Sequence, residues 1–325
     1  MKKWILGFTI SAIAVYLLLH NFDLKEFERI KGKLDWKFLV FLVFSNLFAF
    51  VPFTLRWYYL LDKKISFASA YASSVIGVGL NMVLPARGGD LMRLVINKKD
   101  SGLTIPNLLS KIFLEKVMDL GTVVIVGATA LFLLGLGENK NLSLIYVSGF
   151  FLLGMFGGLI ALRVFLEPTR NLFGKVFQLA KNEDLYKHKI DPHIVEFSEF
   201  LKGKKLILPV LFSFPTWILG YSLSYWLAGQ LIGIELTYVE TLLLIFVGAM
   251  GVAIPSAPSG IGVFHASVIS GFILLGRESG EGLVFATVFH LAQFVIITSL
   301  AIVFYLSWTA LSKDKVTTSK DGSSP

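Results

Sequence analysis

The chain contains no cysteine, which removes disulfides, thiol nucleophiles and cysteine-based metal sites together. It is also poor in charge: of 325 residues only 16% are charged and 55% are hydrophobic. A soluble protein of this length needs a far more polar surface to stay wetted, so a mean hydropathy of +0.71 excludes that class. Ten-residue strands of alternating polarity, the mark of a membrane barrel, are missing as well. There is no glycine-rich phosphate loop ahead of a helix and no Asp-X-Asp metal pair. Glu26-Phe27-Glu28 comes nearest, and it reads better as the solvated face of an amphipathic helix. His188 and His193 lack metal-ligand spacing. No cofactor is expected.

What the sequence does contain is a series of apolar runs, at 4–19, 37–61, 66–84, 107–135, 142–166, 206–232, 239–276 and 283–309. A run of about 20 such residues crosses about 30 Å of hydrocarbon. Lipid offers backbone groups no hydrogen-bond partner, so the runs must be helices. The formal net charge of +8 sits mainly in the short loops between them. That placement excludes nucleic acid as a partner and points to topology signals and anionic lipid headgroups. Met1-Lys2-Lys3 precedes the first run with no small-residue cleavage pattern after it, which predicts an uncleaved first span with a cytoplasmic N-terminus.

Two polar stretches have helical periodicity. Leu24, Phe27, Ile30 and Leu34 line one side of 21–36, and Leu172, Phe173, Val176, Phe177 and Ala180 oppose Arg170, Lys175 and Lys181. Both patterns fit helices lying in the membrane interface. A further interfacial helix is predicted from Asp191-Pro192, with Asp as cap and Pro in the first turn. The segment 167–205 therefore reads as a cytoplasmic connector between halves at about 1–166 and 206–311. Together these form one membrane domain, 1–311, and 312–325 reads as a disordered tail.

Two places break the helical pattern: Asn81-Met82-Val83-Leu84-Pro85-Ala86-Arg87-Gly88-Gly89-Asp90-Leu91-Met92-Arg93, and Ala253-Ile254-Pro255-Ser256-Ala257-Pro258-Ser259-Gly260-Ile261-Gly262. Each follows a helix rich in small residues. Broken segments in matching positions of two halves mark inverted-repeat transporters, whose sites lie at the breaks. The predicted fold is all-α: a polytopic transmembrane helical bundle of about six full spans plus two re-entrant helical hairpins at 66–96 and 239–276. Counting basic residues leaves a second arrangement open, with eight full crossings, because the connector is cytoplasmic in both.

Ionisable groups entering apolar segments are costly and are candidates for function. At the first break these are Arg87, Asp90 and Arg93; on the next helix they are Glu115 and Asp119, four residues apart and hence on one face. An ion-pair network fixing the hairpin and a phosphate site built on arginine are both open, and compatible. At the second break, Ser256, Ser259 and the N–H groups near Gly260 could hold an anion at a helix start, or form a simple hinge. No metal ligands are expected.

The stretches Leu84 to Arg93, Glu115-Lys116-Val117-Met118-Asp119 and Pro255 to Phe264 resemble the flippase-like integral membrane family, the lysylphosphatidylglycerol synthase transmembrane-region family. The family pattern has Glu where Asp90 stands, Arg where Lys116 stands and Gly where Ser259 stands. The resemblance implies a domain that carries a modified lipid to the outer leaflet. In aminoacyl-phosphatidylglycerol synthases a soluble aminoacyltransferase domain follows it, and none is expected here.

The expected function is therefore binding and translocation of an anionic or glycosylated lipid in the inner cell membrane, without enzymatic activity. Membrane lipids are the expected partners, with a separate lipid-modifying enzyme beside them. Two alternatives stay open: a glycosyl- or phosphotransferase acting on a polyprenyl lipid, and a non-transporting assembly partner.

Overall fold

The computed structural model describes residues 28, 32–84, 87–136, 142–252 and 260–321, and most of their side chains as far as Thr309. The apolar run 4–19, most of the amphipathic stretch 21–36, and Ser256 and Ser259 lie outside these residues. All regular structure among the described residues is helical.

In chain order the helices are α1 (Trp36–Leu60), α2 (Phe67–Val83), α3 (Gly88–Ser101), α4 (Ile105–Leu133), α5 (Leu142–Val164) and α6 (Leu166–Leu179). Then follow α7 (Asp191–Lys202), α8 (Lys204–Leu231), α9 (Tyr238–Val252), α10 (Val263–Leu274) and α11 (Ser279–Asp321). Four of these are long and apolar enough to cross a membrane: α1, α4, α8 and α11 from Ser279 to Thr309. Beyond that point α11 stays helical into the stretch expected to be a tail.

Local sequence explains where the helices start and stop. The side chains of Asp35, Ser66 and Thr104 each accept a backbone N–H in the first turn of α1, α2 and α4, supplying acceptors that a helix start lacks. Pro106 fits the start of α4, where no intrahelical N–H bond is lost. Gly102 ends α3 in the left-handed conformation, with φ +67°.

The two breaks divide their segments into paired short helices. α2 and α3 have 17 and 14 residues, or about 25 and 21 Å; α9 and α10 have 15 and 12, or about 22 and 18 Å. Both pairs are antiparallel. In the first, Ser69 donates to Asp100, Ser73 to Asn97 and Asn81 to Asp90, a ladder that climbs one helix while it descends the other. In the second, Gly271 lies against Leu244 and Val247, and Gly251 against Ser267 and Val263.

The 28-residue α8 fixes how the hairpins are disposed. Lys205, at its start, pairs with Asp62 in the loop feeding α2. Its last turn leads, about 42 Å away, through a short loop into α9. The first hairpin therefore opens at one end of the bundle and the second at the other. α11 runs between them: Gly79 of α2 lies so close to Ala301 that a Cβ there would be 2.2 Å from the alanine methyl. Small residues permit such contact where lipid gives helices no hydrophobic reason to associate.

Around α8 to α11 the interior is aromatic, with Tyr225, Phe264, Phe272, Phe285 and Phe289 in one cluster. Trp57, Leu60, Leu94, Leu108 and Leu114 form another between α1, α3 and α4. Phe41, Phe44, Phe132, Leu153 and Ile302 point outward, as residues facing lipid do.

The connector departs from expectation at one residue. α7 does begin at Asp191-Pro192, but Asp191 makes no cap. Its carboxylate accepts two hydrogen bonds from Arg170, at 2.7 and 2.5 Å, and one from Tyr186. These bonds hold the Asp191 carboxyl below the usual carboxylate range. Leu172, Phe173 and Val176 of α6 are exposed, as an interfacial helix requires.

Helix contact at the first hairpin is tightest at Gly89, where a Cβ would stand 1.9 Å from the Gly77 carbonyl oxygen. Gly89→Ala is expected to lower the melting temperature of the purified protein by several degrees, a cost of about 1–3 kcal/mol. Gly149 on α5 has open space around its Cα, so Gly149→Ala should melt within a degree or two of the parent. Tryptophan-fluorescence melting of both variants in detergent provides the comparison.

Candidate functional site

A helical spacing of four places Glu115 and Asp119 on the same face of α4, and that face meets α1, α3 and α8. Arg93 of α3 donates to Glu115 through both terminal nitrogens, at 2.9 and 2.8 Å. The fork-to-fork geometry is the strongest form of this pair. Arg56 of α1 donates to Asp119 at 2.6 Å and to the Ser213 hydroxyl of α8 at 3.2 Å. Its other terminal nitrogen lies 3.9 Å from Glu115. Trp217 of α8 donates its indole N–H to the same Asp119 oxygen at 2.8 Å.

Arg56, Arg93 and Glu115 have essentially no solvent exposure. Aromatic faces replace water around the cations: Arg93 lies 3.9 Å from the ring centre of Trp57, and Arg93 and Arg56 lie 5.1 and 5.0 Å from that of Phe53. A local distortion brings Trp217 into reach. Pro215 interrupts α8, and a π-helical turn follows over Thr216–Tyr221, a feature that re-aims side chains.

The outer edge of the cluster faces the hairpin tip. Lys116 lies 3.4 Å from Glu115 and 4.0 Å from Asp90. Asp90 is also bound by Asn81, whose amide donates to the carboxylate at 3.0 Å and accepts the Asp90 backbone N–H at 3.2 Å. Arg87, just before α3, has φ +56° and ψ +44°. That conformation is rare outside glycine and costs a residue with a Cβ about 1–2 kcal/mol. The Arg87 side chain is exposed and makes no polar contact among the described residues.

Of the residues picked out in the sequence, the structure brings Asp90, Arg93, Glu115 and Asp119 together and sets Arg87 at the tip above them. Gly260 is buried, with φ +71°, ahead of α10 in the other hairpin. His265 and His290 face each other across α10 and α11, with ring centres 5.2 Å apart.

Sequence reasoning missed Arg56, Asn81, Ser213 and Trp217. Arg56 carried a signal: it is the one charge inside the apolar run 37–61 apart from Lys37 at its first position, and an intramembrane charge demands a partner. The other three are ordinary polar or aromatic residues in helices, and only packing reveals their role.

Three donor atoms in the cluster have no acceptor among the described residues: Arg56 Nε and Nη2, and Arg93 Nε. Buried donors of this kind call for a water or ligand oxygen.

Apolar helices around a desolvated ion-pair cluster define a multi-pass α-helical membrane protein. The chain matches the family described as Lysylphosphatidylglycerol synthase TM region over residues 4–301, and it belongs to that family. No curated protein and no solved structure matches it.

Removing one partner from a buried ion pair leaves an uncompensated charge, at a cost of about 3–5 kcal/mol. Arg93→Met should therefore lower the melting temperature sharply. Adding Glu115→Gln should recover part of the loss, whereas a second change at a distant site should add its own effect unaltered. A thermal-melting double-mutant cycle reads this coupling directly.

Proposed function

We propose that the protein binds a lipid with an anionic or glycosylated headgroup and carries it between the leaflets of the inner cell membrane. The charge at the first hairpin carries this reading. Arg56, Arg93 and Lys116 balance Glu115, Asp119 and Asp90, leaving Arg87 as the excess positive charge at the tip. One phosphodiester headgroup, with a single negative charge, would bring the group to neutrality.

Depth supports the same reading. Arg87 follows a helix about 25 Å long that starts at one end of the bundle. A guanidinium that reaches mid-membrane costs about 2.5–3.5 kcal/mol on insertion scales unless it is paired or hydrated. On this reading both hairpins are re-entrant and related as an inverted repeat. Their tips line a polar groove for the headgroup while the acyl chains remain in lipid. Glu115 and Asp119 hold Arg93 and Arg56 in place, and the second hairpin contributes N–H donors near Gly260. The protein is then a transporter rather than an enzyme and uses no cofactor. A separate enzyme makes the lipid it carries, and the N-terminus and the connector are cytoplasmic.

Lipid exchange in proteoliposomes, measured beside melting temperature, tests the assignment. Arg87→Gly relieves the left-handed backbone, so the fold should be retained or strengthened while exchange falls at least tenfold. Arg87→Lys keeps the charge and loses the planar fork, and exchange should fall with it. Full exchange by folded Arg87→Gly protein would remove Arg87 from the site.

Topology gives a second test. Reporter fusions at the N-terminus and at Gly102 should both report cytoplasm. An external N-terminus with Gly102 inside would replace the hairpins with full crossings.

A further inference from the structure

The second hairpin holds two ionisable side chains that the lipid site around Arg87 does not use. His265 is the third residue of α10, next to the break, and His290 faces it from α11. Their ring centres lie 5.2 Å apart, with the planes inclined by 33°. Phe264 stands roughly perpendicular to both rings, at 5.8 and 5.2 Å. The crossing part of α11, Ser279–Thr309, is centred on Phe294, four residues from His290. The pair is therefore near mid-membrane depth, where an ionisable group marks an ion or proton path.

Packing places the two histidines on a seam. α9 and α10 are locked together: a Cβ on Gly251 would fall 2.0 Å from the Ser267 hydroxyl, and one on Gly271 would fall 2.8 Å from Leu244. At the loop end, α10 is pressed against α11, where a Cβ on Gly282 would lie 2.9 Å from that of Phe272. The histidines occupy the other end of the α10–α11 contact, at the hairpin tip. Both are partly buried. The Nδ1 of His265 is enclosed with no hydrogen-bond partner among the described residues, so this ring can change protonation without giving up a hydrogen bond.

The other ionisable groups on the adjoining helices are spread along them. On α9 they are Tyr238 and Glu240, in its first turn, and on α11 Glu281 precedes His290. Glu240 and Glu281 are engaged by Arg277, at 3.5 and 3.2 Å, at the loop end. On α8, Tyr225 lies against Phe289 and Tyr221 against Trp217, and Lys204 and Lys205 stand at its start. α2 brings Tyr71 alongside Phe304 of α11. His290 is thus the ionisable group that His265 meets directly.

We propose that His265 and His290 form a site for one proton, and that this proton is the coupling ion of the lipid transport proposed above. A second proton would place two cationic rings 5.2 Å apart in a low-dielectric interior, where repulsion is least screened. The single proton belongs to the pair rather than to either ring. It enters an imidazole lone pair from water on one side of the membrane and leaves to water on the other. A charged pair favours the disposition of the hairpin on α11 that gives it more water, and in this way proton binding biases the transporter. The coupling rests on the transport reading; the proton site stands without it.

Full-length protein carrying 15N-labelled histidine, in detergent, tests the site. The chain has five histidines, and His265→Gln and His290→Gln assign the two signals. Each replacement should shift the titration midpoint of the remaining partner by about one pH unit. His188→Gln, in the connector, should shift neither. Independent titration of His265 and His290 would overturn the shared site.

Proteoliposomes containing labelled phosphatidylglycerol test the coupling. At one proton per lipid, a gradient of one pH unit shifts the steady-state leaflet distribution by up to about tenfold. The parent and His188→Gln should both show a shift of at least about threefold. His265→Gln and His290→Gln, checked for folding by melting temperature, should lose it; should one of them not fold, the other decides. A gradient response kept by the folded variants would overturn the assignment. Exchange by the parent with no gradient response would overturn the coupling and leave transport standing. No exchange under any gradient would instead remove the transport reading and the coupling together, while the histidine titration still decides the proton site.

Discussion

The bidentate pair between Arg93 and Glu115 is the constraint on which the rest of the structure depends. Two opposite charges with almost no solvent contact are tolerable in a membrane protein only when their geometry is good and their surroundings polarisable. Trp57 and Phe53 supply the aromatic faces for Arg93, so α1 must lie against α3. Glu115 must face inward, which orients α4. Asp119, one turn further along, is then fixed, and it gathers Arg56 and Trp217. Four helices are thus located by one salt-bridged cluster in an environment where apolar contact alone gives little directional preference.

Small residues provide the complementary constraint. Gly77 and Gly89 bring α2 against α3, and Gly79 brings α2 against α11. These close approaches pack α2 against both α3 and α11, and they let the Arg93 stem lie along α2. The hairpin turns at a left-handed Arg87, one of four non-glycine residues with positive φ among the described residues. Glycine would adopt that conformation freely, so an arginine there at an energetic cost is itself an argument for a role of the side chain. The paired arginines below it hold the framework, whereas the Arg87 side chain is exposed.

The apolar runs were legible because hydrocarbon thickness sets their length; α1, α2, α4, α5 and α8 follow their runs within a few residues, whereas α11 continues well past its run to Asp321. Both breaks were legible from Pro and Gly, since these residues have specific backbone consequences in an apolar helix. The shared face of Glu115 and Asp119 followed from helical spacing. Their partners did not follow. Nothing local to Arg93 distinguishes a phosphate ligand from a strut to Glu115, because both readings need the same guanidinium at the same place. Asp191 illustrates the same limit: the sequence places it at a helix start, but its carboxylate bonds to an arginine more than twenty residues earlier.

By itself the sequence determined the membrane class, the positions of the helices and breaks, and the family, because each depends on composition or short-range spacing. Tertiary structure alone decided which charges neutralise one another. It also decided that the two hairpins open at opposite ends of the bundle. These are relations between residues far apart in the chain. A low-dielectric interior makes them matter energetically, since an unpaired charge there is expensive and a paired one is fixed in place.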